Sequence, residues 1–122
     1  MNSKAKGNQA EREIETLIRG LHSPAITAQR NRQGLQAALM GEGGFRTGEG
    51  NPDILLTIGG HEIHLESKRT ERLRLNDAMK QAEHDANGRI PAVAHRGNRQ
   101  PWRITLNLMD LLDLCDDLID ER

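Results

Sequence analysis

The chain has 122 residues with nearly balanced charge, 17 Lys and Arg against 18 Asp and Glu. This length predicts a single domain over residues 1–122 with one compact core. Cys115 is the lone cysteine, which excludes an intramolecular disulfide and favours a reducing environment. The sequence contains no apolar run near the ~20 residues of a membrane-spanning helix, and it opens on a polar stretch unlike a secretion signal. We therefore expect a soluble, cytoplasmic protein with no membrane partner.

The charge is divided unevenly along the chain. Residues 109–122 hold six acidic residues and Arg122, a balance of −5 within a total of −1, so residues 1–108 carry +4. A basic body with an acidic tail suits the binding of phosphate groups. Lys and Arg side chains that only contact water on exposed helix faces would give the same net charges. Charge alone therefore leaves nucleic-acid binding and simple solvation open.

The first half of the chain predicts a helix, a strand and a glycine-rich loop. Apolar residues recur at spacings of three and four from Ile14 to Leu21, which predicts a helix from Asn8 to about Leu21. For residues 22–50 we favour a strand near 25–30, followed by a loop or short helix over 35–40. A second helix starting at Ser23-Pro24 is the alternative. The glycines of residues 41–50 predict a flexible loop, with Arg46 inside it.

A β-hairpin is the clearest local prediction. Residues 53–58 and 61–68 are predicted to form two strands, and Gly59-Gly60 between them is typical of a two-residue hairpin turn. Side chains alternate across a strand, so His64, Glu66 and Lys68 are expected on one face.

The rest of the chain predicts a helix, two strands and a terminal helix. The helix is expected over 76–87, ending at Gly88, and the strands over 90–96 and 102–107. The acidic terminal helix, about 108–122, is expected to be amphipathic. Its predicted apolar stripe consists of Leu108, Leu111, Leu112, Cys115, Leu118 and Ile119.

The hairpin also carries the residue pattern that indicates a catalytic function. Asp53 stands at the start of its first strand, and Glu66 and Lys68 come thirteen and fifteen residues later at the end of its second. Two neighbouring carboxylates repel each other and are stabilised by a divalent cation, while an ammonium group stabilises charge on a phosphate or an attacking water. This combination suits hydrolysis of a phosphodiester by metal-activated water. Either fragment alone is also common on a solvated turn or strand face.

These residues resemble a known family. Pro52-Asp53 with Glu66-Ser67-Lys68 resembles the PD-(D/E)xK nuclease superfamily. The run from Lys6 to Ile14 is similar to the first helix of the archaeal-type Holliday junction resolvases, and residues 88–93 and 102–104 resemble their last strands. The resemblance spans about residues 6–107 and implies an α/β, restriction-endonuclease-like fold with a central mixed β-sheet flanked by helices. The long interval before Asp53 and the acidic tail depart from the family pattern.

The resemblance also implies roles for individual residues. Its catalytic set is Glu11, Asp53, Glu66 and Lys68. The expected cofactor is Mg²⁺, with Mn²⁺ able to substitute, held by Asp53, Glu66, the Ser67 carbonyl and Glu11. Glu11 lies three residues before Ile14, at the edge of the buried stripe, whereas Glu13 and Glu15 are expected to turn further toward solvent. The alternative for Glu11 is an ordinary first-turn acid favoured by the helix dipole.

Further residues are expected around this centre. Contacts to DNA are expected from Lys6, Arg12, Arg46, Arg69 and Arg72. Gln81, on the helix after the Glu-x-Lys motif, and His64, beside Glu66, are candidates for a supporting shell. An exposed helix glutamine is the alternative for Gln81.

The sequence therefore predicts a Mg²⁺-dependent, structure-selective DNA endonuclease that cuts four-way junctions as a homodimer. Two strands must be cut, so two active sites are expected, with the terminal helix or an exposed sheet face as the two-fold contact. Two alternatives stay open. One is a flap, duplex-end or restriction-like nuclease of the same superfamily, and the other is a non-catalytic DNA-binding module. The cell is expected to be bacterial, archaeal or virus-infected.

Overall fold

The computed structural model describes residues 3–31 and 51–120, with side chains from Asn8 onward in the first of these ranges. Its elements, in chain order, are α1 (Ser3–Arg19), β1 (Ile26–Arg30), β2 (Ile54–Ile58), β3 (His61–Arg69), α2 (Leu75–Asp85), β4 (Ile90–Arg96), β5 (Arg103–Leu106) and α3 (Leu108–Asp120). The predicted loop or short helix over 35–40 and the glycine-rich residues 41–50 lie outside the described residues. No helix of the described part is long and apolar enough to cross a membrane.

The five strands form one mixed sheet in the order β1-β2-β3-β4-β5. The β1–β2, β2–β3 and β4–β5 pairs are antiparallel, whereas β3 and β4 run parallel. Parallel neighbours need a crossover connection, and α2 supplies it. The predicted α/β class, with a central mixed sheet flanked by helices, is confirmed.

The helices cover both faces of the sheet. Ile14 of α1 and Leu114 of α3 pack with Ile54, Leu65 and other apolar residues of one face. On the opposite face, Ala78, Met79 and Ala82 of α2 pack against Val93. The alternation of side chains along β3 and β4 separates these two apolar clusters. The sheet is thus buried between two helical layers, and polar groups collect at its ends.

The hairpin forms as predicted. Gly59 and Gly60 both have positive φ angles, 54° and 86°, the conformation that a tight two-residue turn requires and that glycine adopts without steric cost. The Gly59 N–H donates to the Ala25 carbonyl at 2.8 Å, which ties the turn to the start of β1. Ile54 pairs with Leu65 and Ile58 with His61, so the start of β2 lies beside the end of β3.

The bounds and the apolar stripe of α1 differ from the prediction. The helix begins at Ser3 rather than Asn8, because Gly7 inside a helix costs only about 1 kcal/mol and does not stop it. The helix buries Ala10 and Ile14, while Leu17 and Leu21 are 59% and 60% exposed. Leu17 and Leu21 continue the apolar spacing of the helix but stay outside the core, since the sheet reaches only the face that carries Ala10 and Ile14.

The predicted stripe of the terminal helix was also wrong in part. The structure buries Leu114 and packs Leu118 against the core, whereas Leu108 and Leu112 are 67% and 50% exposed. Leucines occur on more than one side of this helix, so its periodicity did not determine which side meets the sheet.

Candidate active site

The hairpin register brings the two motif carboxylates together. Because Ile54 pairs with Leu65, Asp53 comes next to the end of β3, where Glu66 and Ser67 lie. The Ser67 N–H donates to Asp53 Oδ2 at 2.9 Å, and the Ser67 hydroxyl approaches the same oxygen at 3.2 Å. The Asn31 N–H donates to the Asp53 carbonyl at 3.0 Å, which attaches β1 to the same point. The position of Asp53 is therefore set from two neighbouring strands.

His64 holds the second carboxylate. Its side chain is completely buried, and its Nε2 lies 2.7 Å from Glu66 Oε1. The two side chains share one face of β3, as the alternation predicts. With the proton on Nε2, His64 donates to Glu66 and limits the rotation of its carboxylate. His64 thus contacts Glu66 directly, and its supporting role at a metal site stays a prediction.

Glu11 reaches the site from α1, where it meets a residue that sequence reasoning missed. Arg30 Nε lies 3.9 Å from Glu11 Oε1, and both side chains are almost buried, with 11% and 13% exposed. Arg30 ends β1 and pairs with Ile54, next to Asp53. Its Nε has no hydrogen-bond partner in the structure. The strand near 25–30 was predicted, but its pairing partner was not, so nothing local to Arg30 marked it as a site residue.

The three carboxyl groups differ in pKa because their surroundings differ. Burial raises the pKa of Glu11 from 4.5 to about 7, with Asp53 adding to the rise and Arg30 opposing it. Burial likewise raises the pKa of Asp53 from 3.8 to about 6, with Glu66 adding and Lys68 opposing. Burial is the largest single influence on Glu66 and disfavours its ionised form, but the hydrogen bond and charge of His64, with Asp53 and Lys68, together outweigh it and lower the pKa of Glu66. Of the three carboxyl groups, Glu66 ionises most readily, whereas Asp53 and Glu11 beside it ionise less readily than usual.

The donors at the site suit a hard divalent cation. Asp53, Glu66 and the Ser67 carbonyl offer oxygen atoms alone, the kind of ligand that Mg²⁺ and Mn²⁺ prefer. In the described part of the chain, no three His, Cys, Asp or Glu side chains are arranged to hold a metal ion. Mg²⁺ commonly binds through one or two carboxylates and takes its remaining ligands from water and substrate phosphates. Asp53 and Glu66 fit that pattern, and the ligand role of Glu11 stays a prediction.

The remaining residues predicted for the site differ in their exposure. Lys68 is half-buried at the end of β3, and Arg12 and Arg72 are exposed. α2 turns Gln81 toward solvent, and the structure shows no hydrogen bond from it to Lys68. The side chain of Lys6 and all of Arg46 lie outside the described residues.

Glu13 turns further toward solvent than Glu11, as predicted, with 27% of its side chain exposed against 13%. It still has partners that the sequence did not indicate, because its Oε1 accepts from Arg96 Nε at 3.0 Å and from Trp102 Nε1 at 3.2 Å. Its Oε2 lies 3.6 Å from Arg69 Nη1. The same prediction was wrong for Glu15, since its side chain is only 13% exposed. The partners of Glu13 are 83 and 89 residues away in sequence, so no local pattern could have revealed them.

The raised pKa values predict how stability depends on pH. A carboxyl group with a raised folded-state pKa stabilises the fold below its unfolded pKa, and this contribution is lost as pH rises through the folded value. For Asp53 and Glu11 the window runs from about pH 4 to about pH 7. Without divalent cations, we expect the free energy of unfolding of wild type, relative to Asp53→Asn, to fall by on the order of 2 kcal/mol between pH 4 and pH 8. Urea denaturation at both pH values measures it.

Mg²⁺ provides the control for this experiment. Added at pH 8, it should stabilise wild type and leave Asp53→Asn nearly unchanged, because binding to the native state alone shifts the unfolding equilibrium. A difference between the two proteins that stays constant with pH would show that Asp53 ionises normally.

Comparison with known proteins places this site in a known fold. Archaeoglobus fulgidus Hjc, a Holliday junction resolvase from an archaeal hyperthermophile, is similar to this chain, with a TM-score of 0.57 and 21% sequence identity. The match covers 82% of this chain and 76% of the Hjc chain. No protein-family model and no curated protein matches the chain. The chain therefore shares its fold with an archaeal Holliday junction resolvase, as the resemblance of its motifs implied.

Proposed function

We propose that this protein is a Mg²⁺-dependent, structure-selective DNA endonuclease with Asp53, Glu66 and Lys68 at its catalytic centre. The observation that carries the proposal is the hairpin register, which joins Asp53 to Ser67 at 2.9 Å and so places both motif carboxylates at one end of the sheet. The fold shared with a Holliday junction resolvase supports the same conclusion. Neither carboxylate serves the apolar core, so the fold does not explain their presence.

The proposed reaction uses the local chemistry of each side chain. Asp53 and Glu66 would hold the cation, and the 2.7 Å contact from His64 Nε2 limits the rotation of the Glu66 carboxylate. When bound, Mg²⁺ would neutralise the scissile phosphate and lower the pKa of the attacking water. Lys68 orients that water and stabilises the charge that develops on the phosphate. Arg30, whose Nε lies 3.9 Å from Glu11 Oε1, places a positive charge beside the carboxylates.

The proposed substrate is a four-way DNA junction, cut by a homodimer. Two strands must be cut for resolution, and two copies related by a two-fold axis supply two equivalent sites. Apolar side chains on the outer side of α3 and on β5 are available for such a contact, including Leu108, Leu112 and Ile104, each at least half exposed. Exposed Arg12 and Arg72, with the partly buried Arg69, provide charge for the DNA backbone.

A panel of DNA substrates tests this function. Single-turnover cleavage is measured with Mg²⁺ on a four-way junction, a flap and a linear duplex of equal arm length. The proposal expects the junction to be cut fastest, with symmetric cuts in two strands. Faster cutting of the flap or the duplex would favour another nuclease of the superfamily. Binding of all three without any cleavage would favour a non-catalytic DNA-binding module.

A further inference from the structure

A groove runs beside the first helix, next to the candidate active site but not part of it. Its volume is about 390 Å³, and it is lined by Gln9, Arg12, Glu13, Thr16, Leu17 and Trp102. Arg12 follows Glu11 directly, so α1 connects the groove to the carboxylate cluster. Leu17 and Trp102 supply apolar walls, while Gln9, Arg12 and Thr16 supply hydrogen-bonding groups. The groove therefore suits a flat ligand with apolar faces and a polar edge.

Trp102 is held rigidly in this groove. Its indole N–H donates to Glu13 Oε1 at 3.2 Å, and the Arg96 guanidinium carbon lies 5.5 Å from the centre of its ring. Arg96 itself binds Glu13, with Nε and Nη2 at 3.0 and 2.9 Å from the same oxygen. Glu13 thus fixes both the ring and the cation beside it. A ring fixed in advance loses little conformational entropy when a ligand stacks on it.

Packing in the core does not explain why residue 17 is the apolar Leu17. It is 59% exposed and stays outside the apolar cluster that contains Ile14 and Ile18. Leu21, one turn later, is 60% exposed and does not line the groove. Leu17 therefore lines the groove and Leu21 does not, although the two side chains are almost equally exposed.

The charge around the groove favours an anionic ligand. Arg69 and Arg96 both face the single carboxylate of Glu13, and Arg12 lines the groove as a third cation. The three guanidinium groups outnumber the carboxylates of Glu13 and of Glu71, which accepts from the Asn98 N–H next to Arg96, so the surroundings of the ring are positive. A flat, apolar-faced group attached to phosphates is a nucleotide.

We propose that this groove binds an unpaired nucleobase of branched or bulged DNA. The base stacks on Trp102, its edge meets Gln9 and Thr16, and the adjoining phosphate lies near Arg12. Aromatic side chains and arginine are the usual platforms for unstacked bases. The inference rests on the proposed function in taking DNA as the ligand, and it adds a reason for selectivity, since an intact duplex offers no unpaired base.

The chain's own fluorescence tests this directly, because Trp102 is its single tryptophan and it contains no tyrosine. The full-length protein is titrated, without divalent cations, with two duplexes of equal length and charge. One carries a single-thymidine bulge, and the other carries an abasic nucleotide at the same place. We expect the thymidine bulge to quench the emission and to bind about tenfold more tightly than the abasic bulge.

Two leucine variants show whether the groove itself binds the base. Leu17→Ala is expected to remove most of the tenfold preference, whereas the matched control Leu21→Ala should retain it. Neither side chain is buried, so both variants should melt close to wild type. A third variant, Trp102→Leu, should lose the preference while it still binds linear duplex.

The inference is overturned if the thymidine and abasic bulges give the same affinity and the same emission. If the substrate panel shows cleavage while the two bulges behave alike, the base site is wrong and the nuclease assignment stands. If the panel shows no cleavage but the thymidine bulge alone quenches Trp102, the base site stands without the nuclease.

Discussion

Replacing Asp53 or Glu66 by Ala is expected to lower Mg²⁺-dependent DNA cleavage by at least about a thousandfold. Each variant removes one of the two carboxylates proposed to hold the cation. Affinity for DNA should stay the same or rise, because a negative group that repels phosphate has been removed. Single-turnover cleavage and filter binding measure the two effects separately.

The matched control for these variants is Asp116→Ala. It removes the same charge from an exposed position on α3, far along the chain from the hairpin. Its cleavage rate should equal that of wild type. Mg²⁺-dependent cleavage that persists in Asp53→Ala would mean that the hairpin is not the catalytic centre. Melting curves show whether Asp53→Ala stays folded without the hydrogen bond from Ser67.

Replacing Lys68 by Ala is expected to lower the cleavage rate at saturating DNA by about a hundredfold to a thousandfold, with little change in affinity. The ammonium is proposed to act on charge that develops in the transition state, so its loss should appear in the rate rather than in binding. Lys68→Arg should not restore the rate, because a planar guanidinium cannot take the place of a compact ammonium beside the water. Single-turnover rates and dissociation constants for both variants measure these effects.

Lys80→Ala serves as the control, since Lys80 is exposed on α2 and carries the same charge. It should change neither the rate nor the affinity by more than about twofold. A Lys68→Ala variant with weakened binding at low salt and an unchanged rate at saturating DNA would show that Lys68 only binds phosphate. The catalytic role proposed for it would then be wrong.

The parts of the site that lie close together in sequence were predictable. The Gly59-Gly60 turn determines the pairing of β2 with β3, and that pairing brings Asp53 to Ser67. Alternation along β3 places His64 on the face of Glu66. A two-residue turn leaves little freedom of register, so alternation along the strands gave the correct faces.

Contacts between distant segments were not predictable in the same way. Arg30 meets Glu11 because β1 pairs with β2 and α1 packs nearby, and neither arrangement is visible around Arg30 itself. Glu13 accepts hydrogen bonds from Arg96 and Trp102, more than 80 residues away. Helical periodicity showed which residues of α1 lie on one stripe but not how far the sheet extends beneath it. The periodicity therefore did not indicate that Leu17 lines a groove rather than the core.

Asp53, Glu66 and Lys68 are proposed to form a Mg²⁺-dependent catalytic centre for DNA cleavage. The single-turnover cleavage rate of a four-way junction, measured as Mg²⁺ is titrated from none, in chelator, to saturation, tests this directly. We expect no cleavage in chelator, a rate that rises with Mg²⁺ to a plateau, and cleavage with Mn²⁺ as well. Cleavage that continues undiminished in chelator, or a junction that is bound but stays intact at saturating Mg²⁺ and Mn²⁺, would contradict it.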